Sequence, residues 1–333
     1  MTGKTLRTLL ALMPLIMAMA ACGKYEKKTN TSTSGTSTLF CDESFENIME
    51  QEIDVFEYIY PNAHVLCRYG SEREAIDSLT NLSIKSIVIP RELTDAEVQR
   101  IKNKNRTPRT AKIAVDAVAL IVNEENPASY LSTKEIGEIL SGETPNWIDI
   151  NPHYPDKPII VLFDNDGSSM MNYMRDSLMN GRKFGENAQK TGSIKSLVEA
   201  IQRNKYAIGV IGVSWLSPNL KEATTMDDLA RDVQSDSIIP NMADIDNAIA
   251  SAGVKTLGVM KGEDRTAYRP FQQNIYNGTY PLTRSIYMTT ISPSGSPGGG
   301  FFSFVTGFTG QKLIMKTGIL PARMNINVVE LVE

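Results

Sequence analysis

One pattern recurs at least five times along this chain: a short apolar run, a small polar turn, then a segment of helical periodicity that opens on a capping residue. That alternation constrains the fold more than any other feature, because parallel strands need crossovers between them and helices usually supply them. Residues 37–41 lead through Asp42-Glu43-Ser44 into FENIMEQEIDVFEYIY, where Phe45, Ile48, Met49, Ile53 and Phe56 share one apolar stripe that Pro61 ends. A strand at residues 64–69 precedes the capping box Ser71-x-x-Glu74, and a third at 84–89 precedes Thr94-x-x-Glu97. The long β-type run 111–123 is followed by Ser132-x-x-Glu135, the strand 158–163 by the stripe of Met170, Met171, Met174 and Leu178, and Ser193 opens a helix before the strand 207–215. An α/β fold with largely parallel sheets is the expectation, with ligands held where strand ends meet helix starts.

The C-terminal third is less regular. Residues 216–255 carry mostly Asp, Ser, Asn and Ala and read as irregular chain with short helices. A second long β-type run occupies 280–292, a Gly/Pro/Ser loop 294–300, and a helix 301–317 despite Gly307 and Gly310. The glycine loop lacks the Gly-Lys-Ser/Thr ending of a nucleotide-binding loop and precedes Phe-rich helix, which argues against phosphate cradling there.

The N-terminus carries a different signal. Lys4 and Arg7 precede an apolar stretch, and Met19-Ala20-Ala21-Cys22 resembles the processing site of bacterial lipoproteins, Met19 standing where Leu is usual. Residues 1–21 then form a cleaved signal, Cys22 accepts lipid, and the Thr/Ser/Lys-rich segment 22–38 is a flexible tether from the membrane. The formal charge of −4 becomes −6 without Lys4 and Arg7, and no basic run suits nucleic acid. Cys41 and Cys67 close neighbouring strands, leaving both a disulfide and two free thiols open, and no cysteine or histidine spacing suggests a metal or cofactor.

IAVDAVALIVNEENPASYLSTKEIGEILSGETPNW resembles the central signature of phosphate-type periplasmic solute-binding proteins of ABC transporters, of the type II periplasmic-binding-protein superfamily. LFDNDGSSMMNYM, KYAIGVIGVSWL, YPLTRSIYMTT and GGGFFSFVTGFTGQKLIMKTGILPA follow in the family's order. The resemblance implies two α/β lobes joined by two crossover strands, near 111–118 and 284–289. Lobe 1 would combine 39–113 with 286–333, and lobe 2 would take 114–285. It further implies a monomeric binder, not an enzyme, that takes phosphate or another small anion from an inter-lobe cleft to a permease and ATPase. A solute sensor of the same fold is the alternative.

Helix starts present unpaired N–H groups and the positive end of the dipole, so serine-bearing turns are candidate anion sites. Three fit: Glu43-Ser44-Phe45, Ser71-Glu72 and the segment Asp164-Asn165 with Gly167-Ser168-Ser169, to which Arg91 adds a charged fork. Each serine is equally a plain helix cap. Asp164 stands where the phosphate binders typically carry Arg, so a charge of the wrong sign is expected beside the anion. Ser168 is also a conceivable hydrolase nucleophile, although the chain's two histidines, His64 and His153, are poorly placed as bases.

Overall fold

Two long strands organise the molecule. The computed structural model describes residues 30–165, 168–216, 220, 224–235, 253–262 and 265–323. The signal segment, Cys22 and Gly167 lie outside the described residues, and so do the expectations that rest on them. In chain order the strands are β1 (Ser34–Asp42), β2 (Asn62–Gly70), β3 (Ser86–Ile89), β4 (Arg109–Asn123), β5 (Tyr130–Ser132), β6 (Ile160–Phe163) and β7 (Ala188–Lys190). Then come β8 (Ala207–Gly212), β9 (Val254–Thr256), β10 (Gly258–Met260), β11 (Ala267–Tyr268), β12 (Thr283–Thr290) and β13 (Leu320–Pro321).

The main sheet runs β2-β1-β3-β12-β4-β8-β6-β7, and β4 is its pivot. Its residues 109–117 pair with β12, while residues 118–122 pair with β8. Within each half the strands are parallel, β1 with β2 and β3 on one side and β6 with β7 and β8 on the other. Antiparallel pairs gather where β4 and β12 cross between the halves. A register shift between Ile286 and Tyr287 bulges β4 at Ile113, whose carbonyl is taken up by Gln311 Nε2 (3.0 Å) and the Ala322 N–H (3.1 Å).

Helices cover the faces: α1 (Glu46–Ile59), α2 (Glu72–Thr80), α3 (Asp95–Lys102), α4 (Thr133–Ser141), α5 (Trp147–Ile150), α6 (Ser169–Leu178) and α7 (Ile194–Arg203). They are followed by α8 (Met226–Gln234), α9 (Gln272–Tyr276), α10 (Pro297–Thr306) and α11 (Phe308–Lys316). All three expected capping boxes form, at Ser71/Glu74, Thr94/Glu97 and Ser132/Glu135. The family-like signature has local causes as well. Asn123 closes β4 by donating Nδ2 to the Ile201 and Gln202 carbonyls at the end of α7, Gly142 takes φ 80° to stop α4, and fully buried Trp147 donates Nε1 to Tyr206 O (3.0 Å).

Several expectations need correction. β1 starts at Ser34, inside the segment assigned to the tether, because its Ser/Thr backbone pairs with β2 from Asn62 onward. The helix expected over 301–317 is two helices, starting at Pro297 and broken at extended Gly307, where a side chain would strike Ser303 O at 2.7 Å. The glycines of that loop serve packing: a Cβ at Gly300 would lie 1.8 Å from Ser32 O and one at Gly299 2.1 Å from Pro293 O. Inside 216–255, α8 packs on α1 and α11, on the β1 side of the molecule. Buried Lys312 donates Nζ to the Asp232 and Ser235 carbonyls at its end.

Cys41 and Cys67 are free. Cys67 sits opposite Leu39 and Cys41 opposite Tyr69, a stagger of two residues. At roughly 3.3 Å rise and 4.8 Å strand spacing the Cα atoms stand about 8 Å apart, beyond disulfide reach.

Candidate functional site

The turn after β1 and the start of α6 meet. Asp42 ends β1 and accepts the Ser44 N–H on Oδ1 (3.0 Å), which tightens the chain into a single 3₁₀ turn before α1 and buries Ser44 and Phe45. From the other half, Ser168 caps α6 by accepting the Met171 N–H (3.3 Å), and this turns Ser169 toward β1. Ser169 Oγ donates to Asp42 Oδ1 (2.9 Å) and lies 3.0 Å from Ser44 Oγ. With its one proton given to Asp42, Ser169 must accept from Ser44.

Arg284 completes the cluster, and sequence reasoning missed it as a site residue. It projects from β12, donates Nη1 to Ser169 Oγ (3.2 Å), and stacks over the Phe45 ring at 4.5 Å. Its register partner Asp116 on β4 takes Nε (3.3 Å) and Nη2 (3.2 Å) on one oxygen, both side chains being almost wholly buried. Gly212 at the end of β8 makes room, since a Cβ there would lie 2.6 Å from Asp116 Oδ2. Only the strand register, set by residues 168 positions apart, brings this pair together.

Charge is unevenly matched around this cluster. Burial pushes the Asp42 carboxyl up to about 6, against the Arg284 charge and the hydrogen bonds from Ser44 and Ser169. Asp116 is likewise raised by burial against Arg284. Glu43 is raised by burial, eased by a hydrogen bond from Asn165 and pushed further by Asp164 and Glu74. Asp164, almost fully buried, has no hydrogen-bond partner for Oδ1 among the described residues.

Two expected ligand groups are already engaged. Ser71 gives both N–H (3.0 Å) and hydroxyl (2.9 Å) to Glu74 Oε2. Arg91 donates to Glu72 (2.5 Å) and, through both terminal nitrogens, to Glu97 (2.9 and 3.0 Å), which holds Glu97 down at about 2. With Glu72 they line a separate hollow of about 480 Å³ that Asn172 of α6 closes from the other half. In this structure capping and ion pairing occupy these groups within one half of the sheet. Glu43, Ser44, Phe45, Asp164, Asn165, Ser168 and Ser169 do come together. Ser168 has no imidazole base: His64 pairs with Glu57 at 3.6 Å on the surface, and His153 is exposed beyond α5.

Two half-sheets joined by crossover strands, with a serine turn from each meeting between them, define a two-lobed α/β binding protein. A family model described as a PBP superfamily domain matches residues 26–308, and the chain belongs to that superfamily. The phosphate-binding protein PstS of Pseudomonas aeruginosa is 22% identical over 320 residues, 90% of this chain and 87% of that protein. PstS of Staphylococcus haemolyticus is 30% identical over 142 residues, 41% of this chain and 44% of its own length. Among solved structures, a substrate-binding protein from Clostridium perfringens assigned to phosphate ABC transport, with bound phosphate, superposes with a TM-score of 0.66 at 19% identity, covering 87% of this chain and all of that one. An ABC-type phosphate transport receptor from Vibrio cholerae gives 0.60, also at 19%, over 86% of this chain and all of that one. These relatives are named as phosphate-binding proteins, a transporter's substrate-binding protein and a phosphate transport receptor.

Proposed function

We propose that this chain is an extracytoplasmic solute-binding protein that captures phosphate or a similar small oxyanion between its lobes for an ABC importer. Cys22 would anchor it by lipid and the monomer would be the working unit. The observation that carries this reading is the meeting of Ser44, Ser169 and Arg284 from three chain segments at one buried point between the half-sheets.

Binding follows by exchange. An oxyanion entering between Ser44 and Ser169 replaces their mutual hydrogen bond: Ser44 donates to one of its oxygens, Ser169 turns its proton from Asp42 to another, and the start of α6 adds unpaired N–H groups. Arg284 supplies charge while Asp116 fixes its orientation. Asp42, next to Ser169, suits an anion that keeps a proton, because that proton needs an acceptor. The two lobes, one around β1, β2 and β3 with α8 packed on it and the other around β6, β7 and β8, then close about β4 and β12, since contacts from both exist only in the closed form.

Titration calorimetry of the purified chain with phosphate tests this. Saturable heat at one site is expected, with a smaller radius of gyration in phosphate by small-angle scattering. Absence of heat with phosphate alongside clear binding of an unrelated solute overturns the ligand class.

A further inference from the structure

Resting on the reading above, we infer that the preferred guest is a zwitterion: a phosphonate or phosphate monoester whose oxyanion meets Ser44, Ser169 and Arg284 and whose ammonium meets Glu43 and Asp164. Two observations separate this from a simple anion site.

The first is the side chain of Asp164. It is 3% exposed, it acts on Glu43 across the boundary between the half-sheets, and its Oδ1 has no hydrogen-bond partner among the described residues. A buried carboxylate oxygen without a donor is costly, and a bound ammonium supplies both the donor and the opposite charge. The second is the imbalance at the cleft. Among the described residues, the charges that act on Glu43 are Asp164 and Glu74, while Arg68 acts on Glu74. Arg284, the guanidinium of the inner cluster, is already paired with Asp116. A dianion alone therefore enters against Asp42, Glu43 and Asp164, whereas a guest with its own cation cancels the last two. Ser44, Ser169, Arg284 and Asp164 are all at most 4% exposed, while Glu43 is half-buried, so both charges of the guest would be largely desolvated.

The test compares 2-aminoethylphosphonate with propylphosphonate, which replaces the ammonium by a methyl group, and with inorganic phosphate, by titration calorimetry at pH 7. The aminoethyl compound is expected to bind about tenfold or more tighter than the propyl one, the scale of one desolvated charge pair. That ratio should fall toward one in Asp164→Asn and in Glu43→Gln, with folding of each variant checked by circular dichroism. Equal or tighter binding of propylphosphonate, with phosphate still bound, overturns the ammonium subsite and leaves the cleft reading standing. Failure of all three to bind overturns both. A gain in phosphate affinity on adding calcium that Asp164→Asn abolishes would assign the carboxylates to a metal and overturn the inference.

Discussion

Arg284 and Asp116 face each other in register on the two crossover strands, 3.2 Å apart and almost wholly buried, so the guanidinium that reaches the candidate ligand point is fixed to both hinges at once. Removing either member leaves the other buried and unpaired. Asp116→Ala or Arg284→Ala should each cost about 3–5 kcal/mol in urea unfolding, and the double variant less than their sum. Additive losses would show that the pair is not coupled.

Glu52 on α1 is wholly buried, and neither carboxyl oxygen has a hydrogen-bond partner among the described residues. Burial raises it well above its ordinary 4.5, so the folded chain holds a proton that the unfolded chain releases. Stability is then greatest below about 4.5 and is lost as pH rises through the folded value. Glu52→Met should stabilise the protein at pH 8 by about 1–3 kcal/mol and flatten that slope, read by thermal unfolding between pH 5 and 8.

Asp42 behaves alike. Raised from 3.8 to about 6, it draws stability down between those values as pH increases. Asp42→Asn should remove about 2–3 kcal/mol of pH dependence from pH 4 to 6. An unchanged profile would mean that Asp42 is not desolvated as its contacts indicate.

Cys41 and Cys67, staggered on β1 and β2, should both alkylate in denaturant without reductant, and reductant should leave the melting temperature unchanged. Mass spectrometry showing a linked pair of peptides would contradict the register.

Much of the scaffold could be read from the sequence because its signals are local. Ser71, Thr94 and Ser132 announced three helix starts through residues three places on, and the run ending in Asn123 announced β4. At the site that locality was less informative. Ser71 and Arg91 read as ligand groups, and the sequence did not show that Glu74, Glu72 and Glu97 on neighbouring turns bond to them. Arg284 was unreadable as a site residue because its meaning depends on pairing with Asp116 and on Ser169 arriving from a third segment. Composition could not reveal that Gly298, Gly299 and Gly300 exist to let chain segments touch.

Whether one buried point between the lobes receives the anion is read from a crystal structure of the chain with arsenate, located by arsenic anomalous scattering. The arsenic is expected within hydrogen-bonding range of Ser44, Ser169 and Arg284, with the Ser44–Ser169 bond replaced. Arsenate bound instead in the hollow beside Ser71 and Arg91, with the Ser44–Ser169 bond intact, would contradict it.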